Sequence, residues 1–247
     1  MSGHSKWATI RRKKEKLDSA RGKMFSSLIK EITIAARTDG GDQIGNPRLR
    51  TAIENAKAAN MPASNIERAI KKGTGDLPGV TYEEITYEAY GPGGTALLIE
   101  VFTDNRNRTI NEIRHLLGKN GGNMGEAGSV GWMFNRQALI TIPAEGVDED
   151  ELLMACLNTG ADDIKLEEDY FQICAPPEKL EDIRSAVVEA GFHVESGEVA
   201  KVPQTEVPVD GTQAKQLLRL MEALEDHDDV QKVWSNFDIP EEMLEDE

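Results

Sequence analysis

The spacing of apolar residues divides the chain into a helical first third and a longer part in which strands alternate with helices. In the stretch GKMFSSLIKEITIAAR, apolar side chains recur every three or four residues, which is the period of an amphipathic helix. Those positions are Phe25, Leu28, Ile29, Ile32 and Ala36. The pattern predicts a first helix that buries one face.

Two further helices are predicted in the first third of the chain. Asn46 followed by Pro47 matches the N-cap and first position of a helix over PRLRTAIENAKAAN. Ser64 and Glu67 have the spacing of a capping box, which predicts a third helix, NIERAIKKG, that Gly73 closes. The stretch GTGDLPGV then has the composition of a linker.

After the linker, the pattern changes to the two-residue alternation of strands. YEEITYEAYG and TALLIEVFTD predict two strands joined by the turn GPGG, followed by a helix over NRTINEIRHLLGKNG and a third strand, SVGWMFN. The next elements are strand ALITIP, helix DEDELLMACLNTG, strands DDIKLEED and YFQICAP, helix KLEDIRSAVVEAG and a strand near FHVESGEVAKV. This is the ferredoxin-like β-α-β-β-α-β order. A helix over TQAKQLLRLMEALED and a strand, DVQKVWSNF, then supply elements that the preceding unit lacks.

We therefore predict an α+β protein with an N-terminal small helical domain followed by two α/β domains of ferredoxin-like β-α-β order, one inserted in the other. The basic tail and helical domain are predicted over residues 1–79. A discontinuous α/β domain is predicted over residues 80–137 and 206–247, and the inserted ferredoxin-like domain over residues 138–205. The acidic end, IPEEMLEDE, is interpreted as a solvated tail.

Charge is distributed unevenly along these domains. The protein has 247 residues, with 28 Lys or Arg, 44 Asp or Glu and a formal net charge of -16. Residues 1–75 hold 16 of the basic residues but only 7 of the acidic ones, so they carry +9 and the remaining residues carry −25. Such a split indicates a polyanion-binding end joined to a body that the same polyanion repels. The acidic domains are predicted to face protein partners instead.

The N-terminal tail mixes cations with an aromatic ring. Lysine and arginine neutralise phosphates, and Trp7 is suited to stack on an unpaired base. A solubilising arm is the plainer interpretation, but such an arm has little purpose in a chain already far from neutral. The predicted nucleic-acid contacts of this region are His4, Lys6, Trp7, Arg11, Arg12, Lys13, Lys14, Lys16, Arg21 and Lys23.

A second basic patch is predicted on the third helix. Arg68, Lys71 and Lys72 are three and four residues apart, so they share one helix face. The same three cations would also be expected on a solvated helix face, and cations are favoured in the last turn of a helix even without a ligand. Arg48 is predicted as a further contact, but Arg48 and Arg50 are two residues apart, so at most one of them joins the patch.

Two glycine-rich stretches, YGPGG and GKNGGNMGEAGSVG, would let the backbone approach phosphates or RNA closely. Neither matches a nucleotide-binding motif. A hairpin turn explains the first stretch, and an ordinary loop is the alternative for the second. The possible loop contacts near the second stretch are Asn105, Arg106, Arg108 and Asn123.

The sequence offers no catalytic constellation. Its four histidines are scattered, it has no serine nucleophile elbow, and Cys156 and Cys174 are interpreted as reduced core residues. His115 is interpreted as an ordinary helix residue. We expect no enzyme, no catalytic residue, no metal and no cofactor. No apolar stretch approaches about eighteen residues, and the start lacks a secretory pattern, so we expect a cytoplasmic protein without a membrane partner.

Several long motifs run along the chain in one order: GHSKWATIRRKK, RGKMFSSLIKEI, NPRLRTAIENAKAANMP, NIERAIKKG, YGPGG, TDNRNRT and GGNMGEAGSVGWMF. Together they closely resemble the YebC/PmpR family, which includes the mitochondrial translational activator of a cytochrome oxidase subunit. One departure is Ala89, where the family resemblance leads us to expect Gly. The resemblance implies three domains and either of two roles, DNA-binding transcriptional regulation or ribosome-associated translation.

The residues and the resemblance together favour a ribosome-associated translation factor that contacts ribosomal RNA through its basic N-terminal domain and relieves stalling. A DNA-binding transcriptional regulator that acts on promoter DNA is the alternative, because the short turn Met61-Pro62-Ala63 permits a helix-turn-helix. No dimer interface is evident, and the tail suits RNA with exposed bases better than duplex DNA. An enzyme with a phosphate ligand is a distant third.

Overall fold

The computed structural model describes residues 18–240 apart from residue 168, and their side chains from residue 22 onward. Contacts group these residues into two compact units. One unit contains Trp132–Thr205, and the other contains the described residues up to Gly131 and from Glu206 onward. The N-terminal basic tail and most of the predicted acidic tail lie outside the described residues.

Seven α-helices and ten strands lie within the described part of the chain. The helices are α1 (Asp18–Asp39), α2 (Pro47–Ala58), α3 (Ala63–Thr74), α4 (Arg106–Lys119), α5 (Glu149–Cys156), α6 (Leu180–Glu189) and α7 (Gly211–Glu225). The first strands are β1 (Glu83–Tyr90), β2 (Ala96–Thr103), β3 (Asn123–Met124), β4 (Phe134–Pro143) and β5 (Asp163–Glu167). The later strands are β6 (Tyr170–Ala175), β7 (Ser196–Pro203), β8 (Val207–Pro208), β9 (Val230–Ser235) and β10 (Phe237–Asp238).

Helices α1 to α3 form a small helical core at the start of the larger unit. The apolar stripe predicted for the first helix is buried against residues of the other two helices. Members of this core include Ile32, Ala36, Leu49, Ile53 and Ile66. Asn46 is the N-cap of α2, as predicted, because its side-chain oxygen accepts a 2.9 Å hydrogen bond from the Leu49 N–H.

The predicted start of α3 is wrong. The helix begins at Ala63, directly after Pro62, and no side chain caps it. Ser64 therefore lies within the first turn rather than at the N-cap, and the capping box with Glu67 does not form. Pro62 occupies the N-cap position, and its side chain has no oxygen that could accept a hydrogen bond from the first amides of α3.

The predicted end of α3 is also wrong, because the helix continues through Gly73 and closes at Gly75, whose φ is 87°. Gly73 instead serves packing between helices. A Cβ at this position would lie 2.4 Å from the carbonyl oxygen of Thr33 and 2.7 Å from the Cβ of Ala36. The missing side chain therefore lets α3 approach the backbone of α1.

An antiparallel sheet of order β3-β1-β2-β9 completes the larger unit. Strands β1 and β2 form the predicted hairpin around a 3-10 turn at Pro92–Gly94. Because β9 pairs with β2, the chain returns after Trp132–Thr205 to the sheet that it had begun. The core of this sheet and of α4 and α7 includes Leu97, Ile99, Ile113, Leu117, Leu217, Met221 and Val233.

The third strand predicted over SVGWMFN is wrong. β1 pairs with β2 on one side and with Asn123–Met124 on the other. Gly131–Met133 forms a 3-10 turn, and Phe134 begins β4. The apolar residues of this stretch were assigned to one element, but they belong to a loop, a turn and a strand. Local alternation over so few residues does not separate these possibilities.

The inserted unit has the predicted ferredoxin-like topology. Its elements follow the order β4-α5-β5-β6-α6-β7, and its antiparallel sheet has the order β5-β6-β4-β7. Its core includes Ile140, Ile142, Leu152, Ile173 and Ile183. The α+β class is confirmed. The domain boundaries at residues 79, 137 and 205 remain predictions. The unit that the contacts define begins at Trp132 and ends at Thr205.

Candidate nucleic-acid interface

Most of the predicted tail contacts lie outside the described residues. These are His4, Lys6, Trp7, Arg11, Arg12, Lys13, Lys14 and Lys16. The side chain of Arg21 is outside them as well. Their assignment to nucleic-acid binding therefore rests on the sequence alone.

The three cations predicted on α3 lie away from the helical core. Arg68 and Lys71 are exposed, whereas Lys72 is half-buried. The aliphatic stem of Lys72 lies beside Gly79, where a Cβ would be 3.3 Å from the lysine Cγ and Cδ. Among the described residues, none forms an ion pair with any of the three cations.

Arg48 is engaged inside the protein instead. Its guanidinium donates hydrogen bonds of 2.8 Å to Glu31 and 2.8 Å to Glu84, and it lies 6.0 Å from the ring centre of Phe102. Burial lowers the pKa of Arg48, but the hydrogen bonds to the two carboxylates outweigh burial and raise it. This side chain joins α2 to α1 and to the β1-β2 hairpin.

One face of α1 docks on the turn before β9. Lys23, Ser27 and Lys30 follow each other at intervals of four and three residues, which places them on the same helix face. The Lys23 ammonium donates to the carbonyl of Glu225, and the Ser27 hydroxyl donates to the side chain of Gln231. Lys23, predicted as a nucleic-acid contact, is therefore half-buried in a contact between elements.

Lys30 makes three polar contacts on this face. Its ammonium donates to the carbonyl oxygens of Asp228 at 2.8 Å and Phe102 at 3.3 Å, and to the carboxylate of Asp229 at 3.1 Å. The shared spacing of Lys23, Ser27 and Lys30 was the signal that could have marked a polar docking face.

Asp229 is a buried carboxylate, 5% exposed, at the centre of this contact. Arg108 donates to it at 2.6 Å, Thr109 at 2.8 Å and Thr103 at 3.1 Å, in addition to Lys30. Burial raises the pKa of Asp229, but the hydrogen bonds from Arg108, Thr109 and Lys30 outweigh it and lower the pKa to about 2. The carboxylate is therefore ionised at neutral pH and fully partnered.

The predicted loop contacts lie at the start of α4 and in β3. Asn105 is the N-cap of α4, because its side chain accepts a 3.1 Å hydrogen bond from the Arg108 N–H. The Arg108 side chain also pairs with Asp104 at 3.0 Å. Arg106 and Asn123 are exposed. Two of the four residues, Asn105 and Arg108, thus have structural roles that their sequence pattern did not predict.

The second glycine-rich stretch wraps around the carboxylate of Glu88. One carboxylate oxygen accepts the Gly128 N–H at 2.7 Å, and the other accepts those of Val130 at 2.6 Å and Gly131 at 2.8 Å. The Gly125 N–H donates to the Glu88 carbonyl at 2.8 Å. Backbone amides that were expected to approach a phosphate are therefore already satisfied by a side chain of β1.

Chemically reactive groups are sparse. Among residues 18–240 apart from 168, no group of three or more His, Cys, Asp or Glu side chains has the arrangement of a metal site. Cys156 is buried and Cys174 half-buried, both are free thiols, and burial raises the pKa of each. His115 is exposed on α4. Within the described residues, no helix combines the length and the apolarity needed to cross a membrane.

Taken together, these features define a multidomain α+β protein in which a basic three-helix domain precedes an acidic body. The model of the TACO1/YebC protein N-terminal domain matches residues 5–76, and the model of the TACO1/YebC second and third domain matches residues 82–237. The chain belongs to the TACO1/YebC family. The resemblance drawn from the sequence motifs is therefore confirmed.

Curated relatives match the chain over nearly its whole length. A protein of Dictyoglomus turgidum is 53% identical over 246 residues, covering 99% of both chains. One from Geobacter sulfurreducens is 55% identical over 245 residues, with 99% of both chains covered, and one from Koribacter versatilis is 56% identical over 245 residues, covering 99% of this chain and 98% of its own. Each is named a probable transcriptional regulatory protein.

The fold is similar to a crystal structure of a conserved hypothetical protein from Aquifex aeolicus. The TM-score is 0.86 and the sequence identity is 46%, with 93% of this chain and 95% of the other covered.

Proposed function

We propose that this protein is a non-enzymatic regulator of gene expression that binds nucleic acid through its basic N-terminal third and acts as a ribosome-associated translation factor. The observation that carries the proposal is the division of charge, +9 in residues 1–75 and −25 in the rest. Attraction to a polyanion is concentrated at one end, and repulsion keeps the acidic body away from neighbouring phosphates.

The helical domain supports this proposal in a specific way. Arg48, Lys23 and Lys30 make polar contacts within the chain, whereas Arg68 and Lys71 on α3 are exposed and form no ion pair with any other residue that the structure describes. The domain thus separates cations that hold the fold together from cations that are left for a ligand. The tail supplies additional cations, together with Trp7, for irregular RNA with exposed bases.

In this proposal, the factor contacts ribosomal RNA and relieves stalling at slow nascent sequences. No residue is assigned a catalytic role, and no cofactor is required. The acidic domains face protein partners, and the protein works in the cytoplasm.

DNA-mediated transcriptional control is the second candidate. It is favoured by the names of the curated relatives and by the short connection between α2 and α3, which ends at Pro62. In a helix-turn-helix arrangement, α3 would be the helix that enters the major groove, and its Arg68, Lys71 and Lys72 would reach the DNA.

Ultraviolet crosslinking in cells, followed by sequencing of the bound nucleic acid, distinguishes the two candidates. We expect reads from ribosomal RNA, and we expect Arg11→Ala/Arg12→Ala/Lys13→Ala/Lys14→Ala to lose most of them because four phosphate-neutralising charges are removed. The matched control is Arg114→Ala/Lys119→Ala/Lys215→Ala/Arg219→Ala, which removes four exposed cations from the acidic body. Reads restricted to a few promoter fragments would replace the translation role with the transcriptional one.

A further inference from the structure

Helix α5 of the inserted unit presents an apolar face to solvent. Leu152 and Cys156 point into the core of the unit, at 0% and 3% exposure. Leu153, Met154 and Leu157 are 43%, 70% and 69% exposed. Isolated exposed apolar residues are common, but two on a helix of eight residues and a third at its C-cap, Leu157, form a contiguous surface that folding of this unit does not use.

This apolar face continues across a groove to the end of α6. The groove is lined by Met154 and Ala155 on one side and by Ala190 and Phe192 on the other. Val188, two residues before Ala190, is 54% exposed. Methionine is flexible and polarisable, which suits it to surfaces that adapt to a partner.

The margin of the groove is acidic. Asp150 and Glu151 line it directly, and Glu189 is an exposed carboxylate next to Ala190. Acidic residues in the first turn of α5 also favour the helix dipole. The dipole does not explain the exposed apolar residues on the following turn. The acidic margin and the apolar groove together therefore need a separate explanation.

We propose that this α5-α6 face binds a protein segment that carries apolar side chains flanked by lysine or arginine. A nucleic acid is repelled by the carboxylates of Asp150, Glu151 and Glu189. A second copy of this chain, docked through the same face, would bring those carboxylates together across the two-fold axis. A cationic amphipathic segment matches both the apolar groove and its acidic margin.

This inference goes beyond the proposed function, because it gives the inserted unit its own ligand class. The N-terminal third attracts a polyanion, whereas the α5-α6 face attracts a cationic protein. One chain would therefore bridge a nucleic acid and a basic protein through surfaces of opposite charge.

The test uses the full-length protein and two labelled synthetic peptides in fluorescence anisotropy at near-physiological salt. One peptide has Leu and Lys at helical spacing, and the other has Ser in place of every Leu. We expect the Leu/Lys peptide to bind at least tenfold more tightly. Met154→Ser/Leu157→Ser should abolish that preference, whereas Leu166→Ser, at a residue of the same unit that is 57% exposed, should leave it unchanged.

A second variant, Asp150→Asn/Glu151→Gln, removes the charges while keeping the apolar groove, and should weaken binding of the Leu/Lys peptide at least threefold. Thermal melts establish that each variant folds. Equal binding of the two peptides, or a preference that survives Met154→Ser/Leu157→Ser, would overturn the proposal. Sedimentation gives a further test. If the native protein is a dimer and Met154→Ser/Leu157→Ser is a monomer, the face binds a second copy and the proposal is overturned.

Discussion

The side chains of Arg108 and Asp229 lie 121 residues apart in the sequence and meet at 2.6 Å. Arg108 belongs to α4 and Asp229 to the turn before β9, while Lys30 of α1 donates to the same carboxylate. One buried charge thus links α1 and α4 to the turn before β9. Its partners hold together segments that are remote along the chain.

We expect Asp229→Asn to lower the free energy of unfolding by about 3 kcal/mol at pH 7, because Lys30 and Arg108 would lose the charge that compensates their own. Urea melts of the full-length protein measure this change. Asp228→Asn, at the exposed neighbouring residue, is the matched control and should change stability by less than about 0.5 kcal/mol. Equal effects of the two substitutions would contradict the central role of Asp229.

The same carboxylate predicts an acid-dependent loss of stability. Its pKa is lowered from 3.8 to about 2 in the folded protein, so the stabilisation is complete above the unfolded value and disappears as pH falls toward 2. The contribution is on the order of 2 kcal/mol, since one pKa unit corresponds to about 1.4 kcal/mol. The stability difference between the native protein and Asp229→Asn should therefore narrow between about pH 5 and pH 2.

Gly73→Ala should destabilise the protein by about 2 kcal/mol, although alanine favours helices. Its Cβ would fall 2.4 Å from the Thr33 carbonyl oxygen, so α1 and α3 would have to separate. Gly118→Ala is the matched control, because it lies within α4 with nothing inside 4 Å of a Cβ. That substitution should stabilise the protein by up to about 1 kcal/mol. Similar shifts in the two melting temperatures would rule out the packing role of Gly73.

Arg68→Ala/Lys71→Ala/Lys72→Ala should weaken binding of single-stranded RNA without lowering stability, since these cations form no ion pair among the described residues. Each phosphate contact contributes about −0.7 to the slope of log K against log salt, so the slope should flatten by about 2. Filter binding at several salt concentrations measures it, with Lys119→Ala/Lys215→Ala/Arg219→Ala as the charge-matched control. An unchanged slope would show α3 to be an ordinary solvated helix.

Trp7→Ala should weaken RNA binding by about 1 to 3 kcal/mol, the usual contribution of one base stacked on an aromatic ring. Trp7→Phe keeps an aromatic face and should retain most of the affinity. A melting temperature that falls while the affinity stays constant would instead place Trp7 in a packed core.

Local sequence patterns predicted the elements well wherever one short motif decides the structure. Asn46 with Pro47 is such a motif, as is the GPGG hairpin, because a cap or a turn involves only neighbouring residues. Ser64 was misassigned as a cap because proline and contacts with α1 set the start and path of α3. Gly73 and Gly75 were both candidates for the end of α3. The choice between them depends on contacts with α1, which the sequence does not reveal.

The candidate site was harder to predict, because cations look alike in a sequence. Arg48 and Arg68 are both helical arginines, yet of the two only Arg48 has acidic partners on other elements within the described part of the chain. Those partners depend on tertiary contacts, which residue spacing along one helix does not reveal. The nucleic-acid role of the tail remains a prediction from composition and from the family resemblance.

Glu88 places a carboxylate where three backbone amides of the Gly128–Gly131 segment converge. Such a ring of donors is the usual cradle for a free anion, but here the anion is tethered to β1 and is always present. A phosphate would have to compete with a group held at very high effective concentration. The hydrogen bonds to Glu88 therefore fix the conformation of the Gly128–Gly131 segment, and this conformation does not depend on a bound partner.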